Sequence, residues 1–335
     1  MEYRVLGKTG LKVSRLGFGG IPIQRIDAAG TRKLMLAMVD AGVNYIDTAR
    51  MYTVSEEYLG EALEGLRDKF IIATKSMARD KESMAKDIEI SLKNLRTDYI
   101  DLYQMHNIPA SDIDKAIGPG GALEALIEAR EAGKIGHIGA TTHTIEAFKR
   151  LVELDWVETI MFPYNFVETH GEELIRTCAE RNIGFIDMKP LAGGALDDAT
   201  LALRFLFANP DVSVVIPGMA EVKEFEQNLA AANDTSPISE EELKKMDELR
   251  ESLGTQFCRR CNYCQPCTAG INISFQFLLE GYKVRYNLKE WSESRYEAQA
   301  VKASDCIECG VCETRCPYNL PIRDMLKRVA KTFGE

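Results

Sequence analysis

Apolar residues in the first 250 positions fall into short buried runs separated by stretches of helical period. Residues 3–14, YRVLGKTGLKVS, alternate apolar and polar about Gly-Lys-Thr-Gly and read as a hairpin. Strands are then expected over 15–20, 44–47, 70–74, 99–105, 135–140, 159–162, 183–188 and 212–216. Helical patterns fill the gaps, over 28–41, 55–66, 81–95 and 121–132 among others. Ser55 stands where an N-cap is expected, with glutamates in the turn after it. Eight strands alternating with helices predict an α/β protein, a closed (β/α)8 TIM barrel. The competing architecture is an open doubly wound sheet. Its glycine-rich turn is incomplete here, because GFGGIP lacks the third glycine of G-x-G-x-x-G. A helix over 240–252 is expected to close this first domain, 1–254.

Composition divides the chain in two. Eight of the nine cysteines lie beyond residue 257, which sets off a second domain, 255–335. The net charge of -10 argues against a nucleic-acid partner. No apolar run has the length of a membrane span, and the first ten residues do not read as a signal peptide. A soluble, cytoplasmic protein is expected.

The barrel pattern places chemistry at one end. Asp47 closes the second strand, with Tyr52 on the loop beyond it. Lys75 ends the third strand and His106 the fourth. Taken singly, such residues are ordinary: a solvated lysine, a satisfied histidine, a packed tyrosine. In a barrel these strand ends converge on one mouth. Tyrosine, with a free pKa of about 10, is a reluctant acid. A neighbouring ammonium favours its phenolate, and a carboxylate keeps that buried ammonium charged. Asp47 would hold Lys75, Lys75 would tune Tyr52, and Tyr52 would protonate an oxyanion that His106 also contacts. This is equipment for carbonyl reduction if a hydride is supplied.

These stretches resemble the aldo-keto reductases. The matching pieces are GVNYIDTARMYTVSEEYLGEAL, IIATKS, LYQMH, KIGHIGAT, PYNFVE, MKPLAGG and VVIPGMAEVKEFEQNL, in the family's order. The resemblance puts the family's catalytic tetrad on Asp47, Tyr52, Lys75 and His106. It implies NADPH or NADH lying across the mouth. Carboxamide contacts would fall on Thr141, Thr142 and Asn165. Pyrophosphate and adenosine contacts would fall near Gly20, Ile21, Leu191, Ile216, Gly218, Met219 and Asn228. Two departures stand out. Met188, or Lys189 in a shifted register, takes the place of the aromatic that stacks on nicotinamide in many members. Glu224, beside Lys223, takes the place of a base that often meets the 2′-phosphate of NADPH. His143 has no counterpart and reads as a surface residue, and Cys178 as core.

The second domain opens with CRRCNYCQPC and ends with CIECGVCETRCP. The latter is the bacterial ferredoxin spacing C-x2-C-x2-C-x3-C-P, whose fourth cysteine ligates the other cluster. Two [4Fe-4S] clusters are therefore expected. One falls on Cys258, Cys261, Cys264 and Cys316, the other on Cys306, Cys309, Cys312 and Cys267. The first run departs from the pattern: its last spacing is two residues, and Thr268 stands in place of proline. Zinc, the alternative, normally takes two well-separated C-x2-C pairs. Helical spacing over 271–279 and 322–329, with Pro321 at a helix start, makes this domain mainly helical. It resembles the helical ferredoxin domains of multi-subunit oxidoreductases.

Three functions fit. The first is NAD(P)H-dependent reduction of a small aldehyde or ketone, or oxidation of the alcohol. The second is a flavin-containing electron-transfer enzyme, since hydride and one-electron chemistry need such an intermediary. The third is a non-catalytic nucleotide-binding redox sensor. From residue 255 onward, 12 basic residues face 9 acidic ones, a net of +3 that leaves -13 on the barrel part. That asymmetry would steer an acidic carrier, a ferredoxin or flavodoxin, to the second domain.

Overall fold

The computed structural model describes residues 1–253, 256–260, 262–316 and 318–335. Contacts divide it into two compact units. The first is Met1–Ala192 with Asp198–Ile238, and the second is Gly193–Asp197 with Ser239–Glu335. The helix Glu240–Leu253, expected to close the first domain, groups with the second unit. It is polar along most of its length, and Met246 is its one buried side chain. Residues 254 and 255, where the boundary was expected, lie outside the described residues.

The first unit begins with the antiparallel hairpin β1 (Tyr3–Val5) and β2 (Lys12–Ser14), joined through a 3-10 turn at Gly7–Thr9. Eight parallel strands follow: β3 (Phe18–Gly19), β4 (Tyr45–Asp47), β5 (Ile71–Ser76), β6 (Ile100–Met105), β7 (Ile135–Thr141), β8 (Thr159–Pro163), β9 (Gly184–Met188) and β10 (Val214–Ile216). They pair in sequence order. Bridges from Leu16 to Val215 and from Gly19 to Gly218 return the last strand to the first and close the ring. The expected barrel is what forms.

Two apolar clusters divide the side chains of these strands. Tyr45, Ala73, Leu102, Met161, Ile186, Val214 and Ile216 fill the interior, and Leu6 and Val13 of the hairpin segment join them. Ile46, Ile72, Tyr103, Ile138, Ile160, Phe185 and Val215 pack outward among the helices. Successive residues of a strand face opposite sides. Asp47 therefore shares the interior face of β4 with Tyr45, Lys75 that of β5 with Ala73, and Gln104 that of β6 with Leu102.

The second unit is helical where it is described. Helices Ile273–Val284, Lys289–Glu297 and Ile322–Phe333 surround a core of Ile271, Leu279, Tyr296, Met325, Leu326 and Val329. Cys264, Cys312 and Cys316 are buried in that core. Among the described residues no helix is long and apolar enough to cross a membrane.

Candidate active site

Register brings the four expected residues together. β4 and β5 pair Asp47 with Ala73, and β5 and β6 pair Lys75 with Gln104. The ammonium of Lys75 donates to Asp47 Oδ1 at 2.6 Å and to the carbonyl of Thr48 at 2.6 Å. It also lies 3.4 Å from Tyr52 Oη and 4.7 Å from the centre of the Tyr52 ring. His106 meets that ring edge-on, with centroids 5.9 Å apart.

Burial opposes charge throughout this group. It pushes the Asp47 carboxyl up, against the pull of Lys75 and Gln104. It pushes the Lys75 ammonium down, against Asp47 and Glu56. The 2.6 Å contact is what holds the two as an ion pair. His106 is driven well below the ordinary histidine range, first by burial and then by Lys75, Arg79 and Lys189. Its imidazole is neutral at pH 7. Its Nδ1 has no hydrogen-bond partner among the described residues.

The loop carrying Tyr52 is braced from behind. Arg50 reaches Glu56 at 2.7 Å and Asp87 at 3.6 Å. Glu56 is fully buried and also accepts from Thr74, Ser91 and Asn94. Ser55, expected as an N-cap, is instead the first helical residue after Val54. Its hydroxyl donates to the carbonyl of Gly20 and meets Thr48 Oγ1, tying β3, β4 and the helix start together. At Gly20 a side chain would stand 2.8 Å from the carbonyl oxygen of Asp47, so glycine alone fits.

The expected dinucleotide residues are more varied. Thr141 Oγ1 accepts from the N–H of Asn107, and Thr142 Oγ1 from that of Thr144. Each hydroxyl keeps its proton to donate. Asn165 is fully committed: Oδ1 accepts from Val167 and Glu168, and Nδ2 donates to Glu168 Oε2 and the Lys189 carbonyl. A carboxamide there would have to displace one of these partners. Met188 ends β9 and Lys189 follows it, both half-buried, and Lys189 holds a left-handed φ of +59°. Leu191 is half-buried in the turn beyond. Ile21 caps the 3-10 turn Pro22–Arg25, and Ile216 ends β10. Gly218 is exposed and bridges to Gly19, and Met219 is buried. Asn228 is buried on the helix Val222–Asn233, where Lys223 is exposed in the first turn. Glu224 is spent on the cap of that helix, accepting the N–H groups of Ala220 at 2.7 Å and Glu221 at 3.1 Å.

The model family described as the aldo/keto reductase family matches residues 15–201 and 197–251. The chain belongs to the aldo/keto reductase family. A second model, the 4Fe-4S dicluster domain, matches residues 257–321, so this reductase is an oxidoreductase with a fused iron–sulfur domain. L-galactose dehydrogenase of Arabidopsis thaliana is 27% identical over 310 residues, which span 76% of this reductase and 95% of the plant protein. Aldo-keto reductase YhdN of Bacillus subtilis is 34% identical over 202 residues, 54% of this chain and 59% of that one. The holo form of aldo-keto reductase AKR11C1 from Bacillus halodurans superposes with a TM-score of 0.66 at 27% identity, covering 74% of this chain and 96% of that one.

Sequence reasoning missed Gln104, whose Nε2 donates to Asp47 Oδ2 at 3.3 Å. Its position two residues before His106 on one strand was the available signal. It also missed Arg79, which donates to the carbonyls of His106 and Asn107. His143, read as a surface residue, is half-buried and bonds Asn107 Oδ1 through Nδ1 at 2.8 Å. Cys178 is core as expected.

In the second unit, Cys267, Cys306, Cys309 and Cys312 line one small pocket. Cys264 and Cys316 are buried and Cys258 is partly so, while Cys261 lies outside the described residues.

Proposed function

We propose that the barrel catalyses NAD(P)H-dependent reduction of a small aldehyde or ketone, or the reverse oxidation of an alcohol. The observation that carries this reading is Lys75, bonded to Asp47 at 2.6 Å and standing 3.4 Å from the Tyr52 hydroxyl. The nicotinamide, when bound, supplies the hydride. Tyr52 gives its phenolic proton to the oxygen that becomes the alcohol. Lys75 stabilises the phenolate left behind, and Asp47 keeps Lys75 charged. Neutral His106 orients the carbonyl oxygen without competing as an acid. The hydroxyls of Thr141 and Thr142 are available to donate to the carboxamide oxygen. Oxidation of NADH or NADPH against a panel of small carbonyls tests the reading, and no turnover with any of them would favour a redox sensor.

Two [4Fe-4S] clusters would supply one-electron chemistry. Cys306, Cys309, Cys312 and Cys267 would hold one, and their shared cavity supports that grouping. Cys258, Cys264 and Cys316, with Cys261, would hold the other. An acidic ferredoxin or flavodoxin is the fitting electron partner for a domain of net +3. The composition fits a cytoplasmic protein.

A second reading has its own support. Met188 replaces the stacking aromatic and Asn165 has no hydrogen-bonding capacity left, which leaves a flavin as an occupant of the mouth. A flavin would also connect two-electron and one-electron steps. Denaturing protein purified without oxygen and identifying the released chromophore decides between the two. About one flavin per chain would favour the second reading.

A further inference from the structure

The first cysteine run is followed directly by Thr268, at the position where the second run has Pro317. Threonine brings a hydroxyl that proline lacks. Thr268 Oγ1 stands 3.5 Å from Cys309 Sγ, 41 residues further along the chain. Thr268 also borders the pocket that Cys267, Cys306, Cys309 and Cys312 line.

As a thiol, Cys309 donates to this hydroxyl. A cysteine that ligates metal has lost its proton, and its sulfur can only accept. The Thr268 hydroxyl then turns its own proton to the sulfur by rotating about its C–O bond.

Thr268 and Cys309 are both exposed, so water competes for that sulfur. The turn around Thr268 decides the competition. Gln265 Oε1 accepts from the Cys267 N–H at 2.9 Å, and Gln265 Nε2 donates to the Ile271 carbonyl at 3.0 Å. The Gly270 N–H closes on the Cys267 carbonyl at 3.0 Å. The backbone is thus tied on both sides of Thr268, and a donor already in place loses little freedom on meeting its acceptor.

An iron–sulfur site gains negative charge when it is reduced. Hydrogen-bond donation to a ligand sulfur favours the reduced state over the oxidised one and so raises the potential.

We propose that Thr268 donates a hydrogen bond to the ligand sulfur of Cys309 and raises the potential of the site made by Cys267, Cys306, Cys309 and Cys312, a role that rests on the ligand grouping proposed above. One electron leaves a reduced one-electron carrier and enters this site. The hydroxyl proton stays on Thr268 Oγ1, so no proton is transferred.

The test is a reductive titration of the full chain, purified without oxygen and followed by electron paramagnetic resonance. Cys309→Ser marks which part of the signal belongs to this site, by abolishing or displacing it. Thr268→Val should move that part alone to lower potential. Thr268→Ser, which keeps the hydroxyl, should leave it near the wild-type value. A Thr268→Val titration that matches wild type would overturn the proposal, as would an equal shift of the whole signal, a shift confined to the other part, or a Thr268→Ser protein that behaves like Thr268→Val. Should Thr268→Val lose iron, Thr268→Ala takes its place with the same expectation. Iron lost from both but kept by Thr268→Ser would also overturn the proposal, because the hydroxyl would then serve assembly and not potential. A Cys309→Ser protein whose signal is unchanged throughout would instead reject the ligand grouping itself.

Discussion

Gln104 donates from Nε2 to Asp47 Oδ2 at 3.3 Å, on the carboxylate oxygen that Lys75 leaves unused. Both residues are buried inside the barrel. A hydrogen bond to a buried charged group contributes about 1.5–3 kcal/mol. Gln104→Leu should therefore lower carbonyl turnover by roughly 10- to 100-fold while leaving cofactor affinity unchanged. Comparing kcat and cofactor binding in the variant checks this. An unchanged kcat would mean Lys75 alone holds Asp47 in its working state.

Tyr52→Phe should remove the proton donor and preserve the ring packed against His106. Loss of a positioned general acid slows turnover by about 10²–10⁴-fold. Single-turnover rates at saturating cofactor are the measurement. Turnover near the wild-type level would reject the tetrad roles.

The use of Glu224 as a helix cap bears on cofactor choice. Its carboxylate already occupies the N–H groups of Ala220 and Glu221, and a nearby 2′-phosphate would meet negative charge. NADH should bind at least as tightly as NADPH in direct titrations. A strong preference for NADPH would point to exposed Lys223, and Lys223→Ala should then abolish it.

Much of this site could be read from the chain because polar residues interrupting apolar strands are conspicuous. Asp47 and Lys75 lie at the C-terminal ends of β4 and β5 and His106 just beyond β6, and β-strand alternation turns Asp47 and Lys75 inward. Other features depend on contacts between distant segments. Asn165 looked available for a ligand, and only the turn through Glu168 and the carbonyl of Lys189 reveals that its amide is saturated. Ser55 matched the composition of a cap, but its hydroxyl serves Gly20 instead. The helix Glu240–Leu253 follows the barrel in sequence yet buries little, so its grouping with the second unit had no local signal.

Asp187 supplies a test of stability against pH. It is fully buried on β9, accepts from the Tyr164 N–H through Oδ1, and has no partner for Oδ2 among the described residues. Burial, followed by the charge of Glu168, raises its pKa well above the carboxylate range. A carboxyl raised in the folded state binds a proton that the unfolded chain has lost. Wild-type stability should therefore fall as pH rises above the unfolded value of about 4. Asp187→Asn keeps an acceptor for Tyr164 and removes that dependence. It should melt higher than wild type at pH 7, with the gap closing towards pH 4. A gap independent of pH would show that Asp187 does not titrate in this way.

Charge on the iron–sulfur unit gives a kinetic prediction. If an acidic carrier docks there, its electron-transfer rate should fall as salt rises from low to physiological ionic strength, where the screening length shortens to about 8 Å. A flat salt response would remove steering from the account.

The exposure of Cys309 bears on how the protein ages in air. As a proposed cluster ligand open to solvent, Cys309 is reached by oxidants, while Cys264 and Cys316 are shielded by the core around them. Decay under oxygen should then proceed in two stages, with iron leaving the open site first. If both proposed clusters are present, a briefly aerated sample would keep the shielded one and an intact barrel after the open one is gone.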